Sequence, residues 1–180
     1  MDSYSIFTGR LLRFAPPSAE DSAAFARWTQ DADYQRMLED DPIRPLSIEQ
    51  AGMFNGGISQ DSFDFRLRTL VDDTLIGFIV LFNIKWKNGS SMLAMGIGEA
   101  AYRGKGYGSD ALNLLLGYAF RELNLYRVGL NVIAYNLPAI RAYERAGFQL
   151  EGRGRGMVHR DGERYDLLQY GILREEWAAR

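Results

Sequence analysis

Residues Tyr102 to Asp110 read Tyr-Arg-Gly-Lys-Gly-Tyr-Gly-Ser-Asp, directly ahead of a leucine-rich amphipathic stretch. Three glycines at alternate positions, Gly104, Gly106 and Gly108, strip side chains from one short loop, so its backbone N–H groups can converge on a ligand. The loop opens a helix whose first turn has unpaired N–H donors and the positive end of a dipole. Arg103 and Lys105 add full charges, and Tyr107 and Ser109 complete the segment. Such a device suits phosphate, above all the pyrophosphate of a cofactor.

Rival glycine motifs fail on spacing. A Walker A loop needs Gly-x-x-x-x-Gly-Lys followed by a hydroxyl residue, and Lys105 is followed by Gly106. A dinucleotide fingerprint needs Gly-x-Gly-x-x-Gly with an acid about 20 residues on, at the end of a second strand. Here the last gap is one residue, and Glu122 ends a helix. Arg-x-x-Gly-x-Gly survives, with Arg103, Gly106 and Gly108 as its members. This segment resembles the acyl-CoA signature of the GNAT acetyltransferases.

Downstream, Asn136, Ile140 and Tyr143 are spaced to line one face of a second helix. The Tyr143 phenol can serve as a weak general acid toward a departing thiolate, or simply as core with its hydroxyl at the rim. The run Asn136 to Phe148 is similar to the GNAT segment Asn-x-x-Ala-x-x-x-Tyr-x-x-x-Gly-Phe. Glu151-Gly152, the Asp161-Gly162 turn and Leu173 to Trp177 resemble the branch containing ribosomal-protein N-terminal acetyltransferases and spermidine acetyltransferases. The likeness spans the chain from Leu11 to Trp177.

The resemblance implies acetyl-CoA as co-substrate and an N-acetyltransferase acting on a primary amine. It implies that residues 103–109 hold the pyrophosphate and that the backbone of Ile97 and Gly98 pairs with the pantetheine arm. It gives Asn136 a contact with that arm and makes Tyr143 the proton donor to the thiolate. Strand 92–98 would supply backbone N–H groups to an oxyanion. Glu99, just before the loop, is the candidate base, directly or through water, against the plainer reading of a solvated loop acid. In this superfamily the stretch 31–50 resembles the acceptor-binding flap. It carries Asp31, Asp33, Glu39, Asp40, Asp41 and Glu49 against Arg36 and Arg44, a surplus that would favour a cationic amine or merely mark solvated helix faces.

Composition narrows the alternatives. The 180 residues, 47% of them hydrophobic, suit one domain, 1–180, with one sizeable core. A net charge of −2 argues against nucleic acid as partner. No cysteine and one histidine leave no thiolate or multi-histidine metal site, so no metal is expected. No apolar run reaches the roughly 18 residues of a membrane span. Met1-Asp2-Ser3-Tyr4 lacks signal-peptide character, so a cytoplasmic protein is the expectation, and a homodimer stays open.

The elements that must position these residues are legible in outline. Leu11 to Phe14 reads as a strand stopped by Pro16-Pro17, then Ser18 caps a helix with a stripe at Ala24, Phe25 and Trp28. Residues 31–50 read as broken helix, interrupted by Pro42 and Pro45. Strands are expected at Phe63 to Val71, Leu75 to Phe82 and Met92 to Gly98, with turns at Asp72-Asp73 and Asn88-Gly89. After the loop, Ala111, Leu112, Leu115, Ala119 and Phe120 bury one helix face, while Asp110 is expected to point away from a bound phosphate. Val128 to Ile133 is a strand, Asn136 caps the second helix and Gly147 ends it. Phe148 to Met157 and Arg164 to Ile172 close the order as a hairpin. The fold class is therefore α/β (α+β) with a mixed, twisted sheet of about six to seven strands flanked by helices, the GNAT fold.

Two smaller signals favour plain readings. His159 lies in a polar strand or turn and reads as a surface residue, and Gly152-Arg153-Gly154-Arg155-Gly156 reads as a twisted hairpin arm before an RNA-binding segment. Behind the N-acetyltransferase stand a non-catalytic acyl-CoA-binding sensor on the same fold and an RNA-associated Gly/Arg module.

Overall fold

The computed structural model describes residues 5–53 and 59–180; Met1 to Tyr4, the segment without signal-peptide character, lie outside the described residues. The strands are β1 (Leu12–Ala15), β2 (Phe63–Thr69), β3 (Leu75–Lys85), β4 (Ser90–Ile97), β5 (Arg127–Ile133), β6 (Gln149–Arg160) and β7 (Glu163–Leu173). The helices are α1 (Ser22–Trp28), α2 (Ala32–Leu38), α3 (Ile48–Gly52), α4 (Tyr107–Gly117), α5 (Leu137–Arg145) and α6 (Arg174–Ala178). This is the expected order, with α6 added after the last strand.

All seven strands join one sheet in the order β1-β2-β3-β4-β5-β7-β6. Every pairing is antiparallel except that of β4 with β5. A parallel neighbour needs a long crossover, and the loop with α4 supplies it. The hairpin of β6 and β7 turns on Asp161 and Gly162, at φ +50° and +84°. That pair of left-handed residues gives a turn whose twist matches the strands. The Gly/Arg run lies within β6 and pairs with β7 through irregularities between Leu150 and Gly152 and between Gly154 and Val158.

Alternation along β3 buries Ile79 and Leu81 against the α4 side, where Ala111, Leu112, Leu115, Ala119 and Phe120 supply the expected stripe. Past Gly117 the helix widens into a π-helical turn, Tyr118–Glu122. The Asp110 carboxylate accepts from the backbone N–H groups of Arg10 (3.0 Å), Leu11 (2.8 Å) and Leu12 (3.2 Å). It thereby fastens α4 to the start of β1 and faces away from the glycine loop, as expected. Asn136 caps α5, its side chain accepting from the Ala139 N–H at 3.2 Å, and Gly147 follows at φ +94°.

Candidate active site

The parallel pair β4–β5 is in register only at Ser90, Ser91 and Met92 with Arg127, Val128 and Gly129. Beyond it β4 keeps its bonds to β3 and β5 keeps its bonds to β7, with no ladder between β4 and β5. From Leu93 to Ile97, β4 therefore presents an edge of backbone polar groups with no strand beside it. Such groups need partners, and an extended ligand bearing amides would fit the split. A cavity of about 870 Å³ occupies it, lined by Leu93 to Ile97, by Asn131 to Ile133, by the glycine loop and by α5.

The loop has the shape its glycines require. Gly104 and Gly106 take φ of +73° and +90°, a region side chains oppose. A Cβ at Gly104 would meet nothing within 4 Å, and at Gly106 only Leu11 Cδ1 at 3.5 Å. Gly106 is the N-cap of α4 and leaves the first-turn N–H groups without a side-chain cap. Gly104, Gly106, Gly108 and Ser109 line the cavity. Lys105 is exposed outside it, and Tyr107 packs edge-on against Tyr102, ring centroids 5.3 Å apart. The cradle and the unpaired edge together fit a pyrophosphate joined to an amide-bearing arm.

Arg103 lines the cavity, and its guanidinium is at the same time held by three partners. Nε donates to the Ile97 carbonyl at 2.9 Å, one terminal nitrogen to the Gly98 carbonyl at 2.7 Å and the other to Asp31 at 3.0 Å. The guanidinium also sits 4.7 Å over the Tyr34 ring. Arginine's planar fork suits this triple brace better than a mobile phosphate contact.

Ile97 lines the cavity and Gly98 does not. Gly98 is glycine because Trp28 lies where its Cβ would be. Glu99 lies outside both cavities of the site, its Oε1 accepting from Trp28 Nε1 at 3.0 Å and from Arg27. On α5, Asn136 and Tyr143 face the cavity, while Ile140 packs toward the core. The Asn136 amide is already engaged, donating to the Met37 carbonyl at 2.9 Å. Tyr143 is buried, and burial pushes its phenol up to about 12, so the proton stays on. His159 pairs with Arg164 across the hairpin and lines neither cavity.

A second cavity, of about 850 Å³, opens over β2 and β3, under the 31–50 segment. Phe25, Trp28, Phe78, Val80, Leu38 and Leu46 make it largely apolar, with Glu39, Asp41 and Asp64 among them. Burial, reinforced by Asp40 and Asp41, raises the Glu39 carboxyl above its ordinary value. Burial likewise raises Asp64, the Arg66 charge offsetting part of that rise. Asp31 is spent structurally: the Tyr34 N–H holds its carboxyl below the usual range, burial opposes this, and Arg103 lowers it further. Asp33 and Asp40 line the first cavity.

Tyr34 and Leu38 line both cavities and mark where they meet. No spacing in the sequence announces Tyr34; the only local hint is a tyrosine three residues after a helix-capping aspartate.

The sheet is mixed and split at one parallel pair, with a glycine loop at the split and a second cavity over β2 and β3 that shares Tyr34 and Leu38 with the first. Residues 11–149 match the family described as the acetyltransferase (GNAT) domain, and the chain belongs to that family and is an N-acetyltransferase. It is 30% identical over 162 residues to the uncharacterized N-acetyltransferase YnaD of Bacillus subtilis (strain 168), covering 88% of this chain and 91% of that one. It is also 30% identical over 116 residues to a spermidine N(1)-acetyltransferase of Vibrio cholerae, 63% of this chain and 66% of that one. The crystal structure of the Vibrio cholerae spermidine N-acetyltransferase in complex with CoA and spermine superposes with a TM-score of 0.82 at 22% identity, covering 93% and 98% of the two chains. The expected family and mixed-sheet fold are borne out. Acetyl-CoA is the acetyl source of this family. Among the described residues no helix is long and apolar enough to cross a membrane.

Proposed function

We propose that the protein transfers the acetyl group of acetyl-CoA to a primary amine by direct attack in a ternary complex, and that the amine carries an apolar body. The observation that carries this reading is the meeting of the two cavities at Tyr34 and Leu38, against the unpaired edge of β4. Acetyl-CoA supplies the activated thioester. The first-turn N–H groups of α4, with Gly104, Gly106, Gly108 and Ser109, hold its pyrophosphate. The β4 edge at Leu93 to Ile97 satisfies the amides of its arm and offers N–H donors to the acyl oxygen. Tyr143, kept protonated by burial, hands its proton to the departing thiolate.

The base reading moves from Glu99 to Glu39. Glu99 accepts from an arginine and an indole, and it positions α1 against the end of β4. Glu39 lines the second cavity, and its raised carboxyl can take up a proton there once ionised. Phe25, Trp28 and Phe78 give an aryl or branched alkyl group a surface that a polyamine, charged along its length, would leave poorly used.

A panel of 2-phenylethylamine, a peptide amide with N-terminal phenylalanine, spermidine and lysine tests this, with CoA release followed by a thiol reagent. The chain has no cysteine to interfere. Turnover of the first two above the last two is expected. A preference for spermidine would sink the apolar assignment, and no turnover with tight acetyl-CoA binding would support a sensor.

A further inference from the structure

The Tyr34 hydroxyl is buried and has no hydrogen-bond partner among the described residues. Burying a hydroxyl without a partner costs stability, and such groups are rare enough to need a reason. Its surroundings hold it firmly. Asp31 accepts from the Tyr34 N–H at 3.0 Å and from Arg103 at 3.0 Å. Arg103 in turn grips the Ile97 and Gly98 carbonyls, and its guanidinium covers the Tyr34 ring. The ring is thus clamped between α2 and the end of β4.

The hydroxyl ends on β4 itself. A Cβ at Gly96 would overlap the Tyr34 hydroxyl oxygen, so residue 96 is glycine to admit it. Gly96 lies within the unpaired stretch of β4, and Tyr34 lines both cavities. A fixed O–H donor with nothing to donate to therefore stands where the two ligands must meet.

We propose that Tyr34 is a catalytic residue whose hydroxyl donates a hydrogen bond to the acyl carbonyl oxygen as that oxygen becomes an oxyanion, alongside the β4 backbone. This rests on the reading that the acyl thioester lies along β4. The amine lone pair forms the new N–C bond while the carbonyl π pair moves onto oxygen. That pair returns as the C–S bond breaks, the thiolate takes a proton from Tyr143, and the ammonium proton leaves through the base. Tyr34 gives up no proton at any point. Burial holds its phenol well above its ordinary value, the Arg103 charge offsetting only part, so the donor form persists across the working pH range.

Tyr34→Phe keeps the ring under Arg103 and removes only the oxygen. Infrared spectra of bound acetyl-CoA carrying a ¹³C carbonyl give the direct readout. In the wild type the carbonyl band is expected to shift to lower frequency than in water, and in the variant to return toward the value without that donor. With 2-phenylethylamine as probe, kcat should fall about 10²- to 10³-fold, the usual effect of losing one oxyanion donor. Calorimetric affinity for acetyl-CoA should stay within about twofold, and the melting temperature should hold or rise, because an unsatisfied buried group is gone. A carbonyl band identical in the two proteins overturns the proposal, whatever the rate does. A lower melting temperature with parallel loss of acetyl-CoA affinity also overturns it, since that is what a structural tyrosine would show. If the wild type itself fails to bind acetyl-CoA, the cofactor reading fails instead, before the variant is compared.

Discussion

One guanidinium nitrogen of Arg103 lies 3.0 Å from a carboxylate oxygen of Asp31, joining the glycine loop to the N-terminus of α2. The pair is partly exposed, so the ion pair by itself contributes little. Its weight comes from the two carbonyls that the same side chain holds.

Arg103→Lys therefore tests the brace. An ammonium is a compact donor that cannot reproduce a planar fork reaching three acceptors. A loss of about 1–2 kcal/mol is expected by chemical denaturation, with faster amide exchange across α2. Stability and exchange equal to the wild type would show that the brace is dispensable.

Gly106→Val addresses the cradle. The residue sits at φ +90° and an added Cβ would meet only Leu11 Cδ1, at an ordinary contact of 3.5 Å, so the strain is conformational, about 1–2 kcal/mol for a side chain in the left-handed region. The domain should stay folded while calorimetry shows acetyl-CoA affinity greatly weakened. Unchanged affinity would remove the loop from the site.

Tyr143→Phe should lower kcat by about 10²-fold with acetyl-CoA affinity nearly unchanged, if general acid catalysis has its usual size. Because burial raises the phenol to about 12, the acid form persists through neutral and mildly alkaline pH. The wild-type rate should therefore show no alkaline decline assignable to Tyr143 below about pH 11. A loss under twofold, with chemistry shown to limit the rate, would give the proton to water or another group.

Glu39→Gln probes the base. A base must be ionised, and the Glu39 carboxyl titrates above its ordinary value, so the wild-type acidic limb should lie to the alkaline side of a normal glutamate. The variant should lose rate most above that limb, where wild-type Glu39 is charged. Superimposable pH–rate profiles would rule Glu39 out.

Asp110→Asn keeps the shape but turns an amide toward N–H donors. The carboxylate accepts three of them, so a loss of about 1–3 kcal/mol is expected by denaturant titration. Acetyl-CoA affinity of the folded fraction should be unaltered, and a large affinity loss would mean that Asp110 shapes the cradle directly.

Much of the framework was legible because it is encoded locally. Asn136 and Pro138 start α5, Asp161-Gly162 turns the last hairpin, and the repeat from Ala111 to Phe120 buries one face of α4. Each depends on neighbours a few residues away. The roles of Arg103 and Glu99 were less legible, because long charged side chains choose among partners that local spacing does not identify. Arg103 reached back to Asp31, Ile97 and Gly98, and Glu99 reached across to Arg27 and Trp28.

The sequence by itself determined that a side-chain-free anion loop precedes an amphipathic helix, that a tyrosine-bearing helix follows one strand later, and that the sheet must be mixed. These follow from backbone conformational preference and residue periodicity, which act over a turn or a strand. Only the tertiary structure decided that β4 and β5 part after three residue pairs, that an aromatic-lined cavity lies over β2 and β3, and that the Tyr34 hydroxyl fills the space over Gly96. Those outcomes depend on how the sheet twists and which remote faces pack together. Contacts between elements far apart in the chain set them, and no short-range pattern records those contacts.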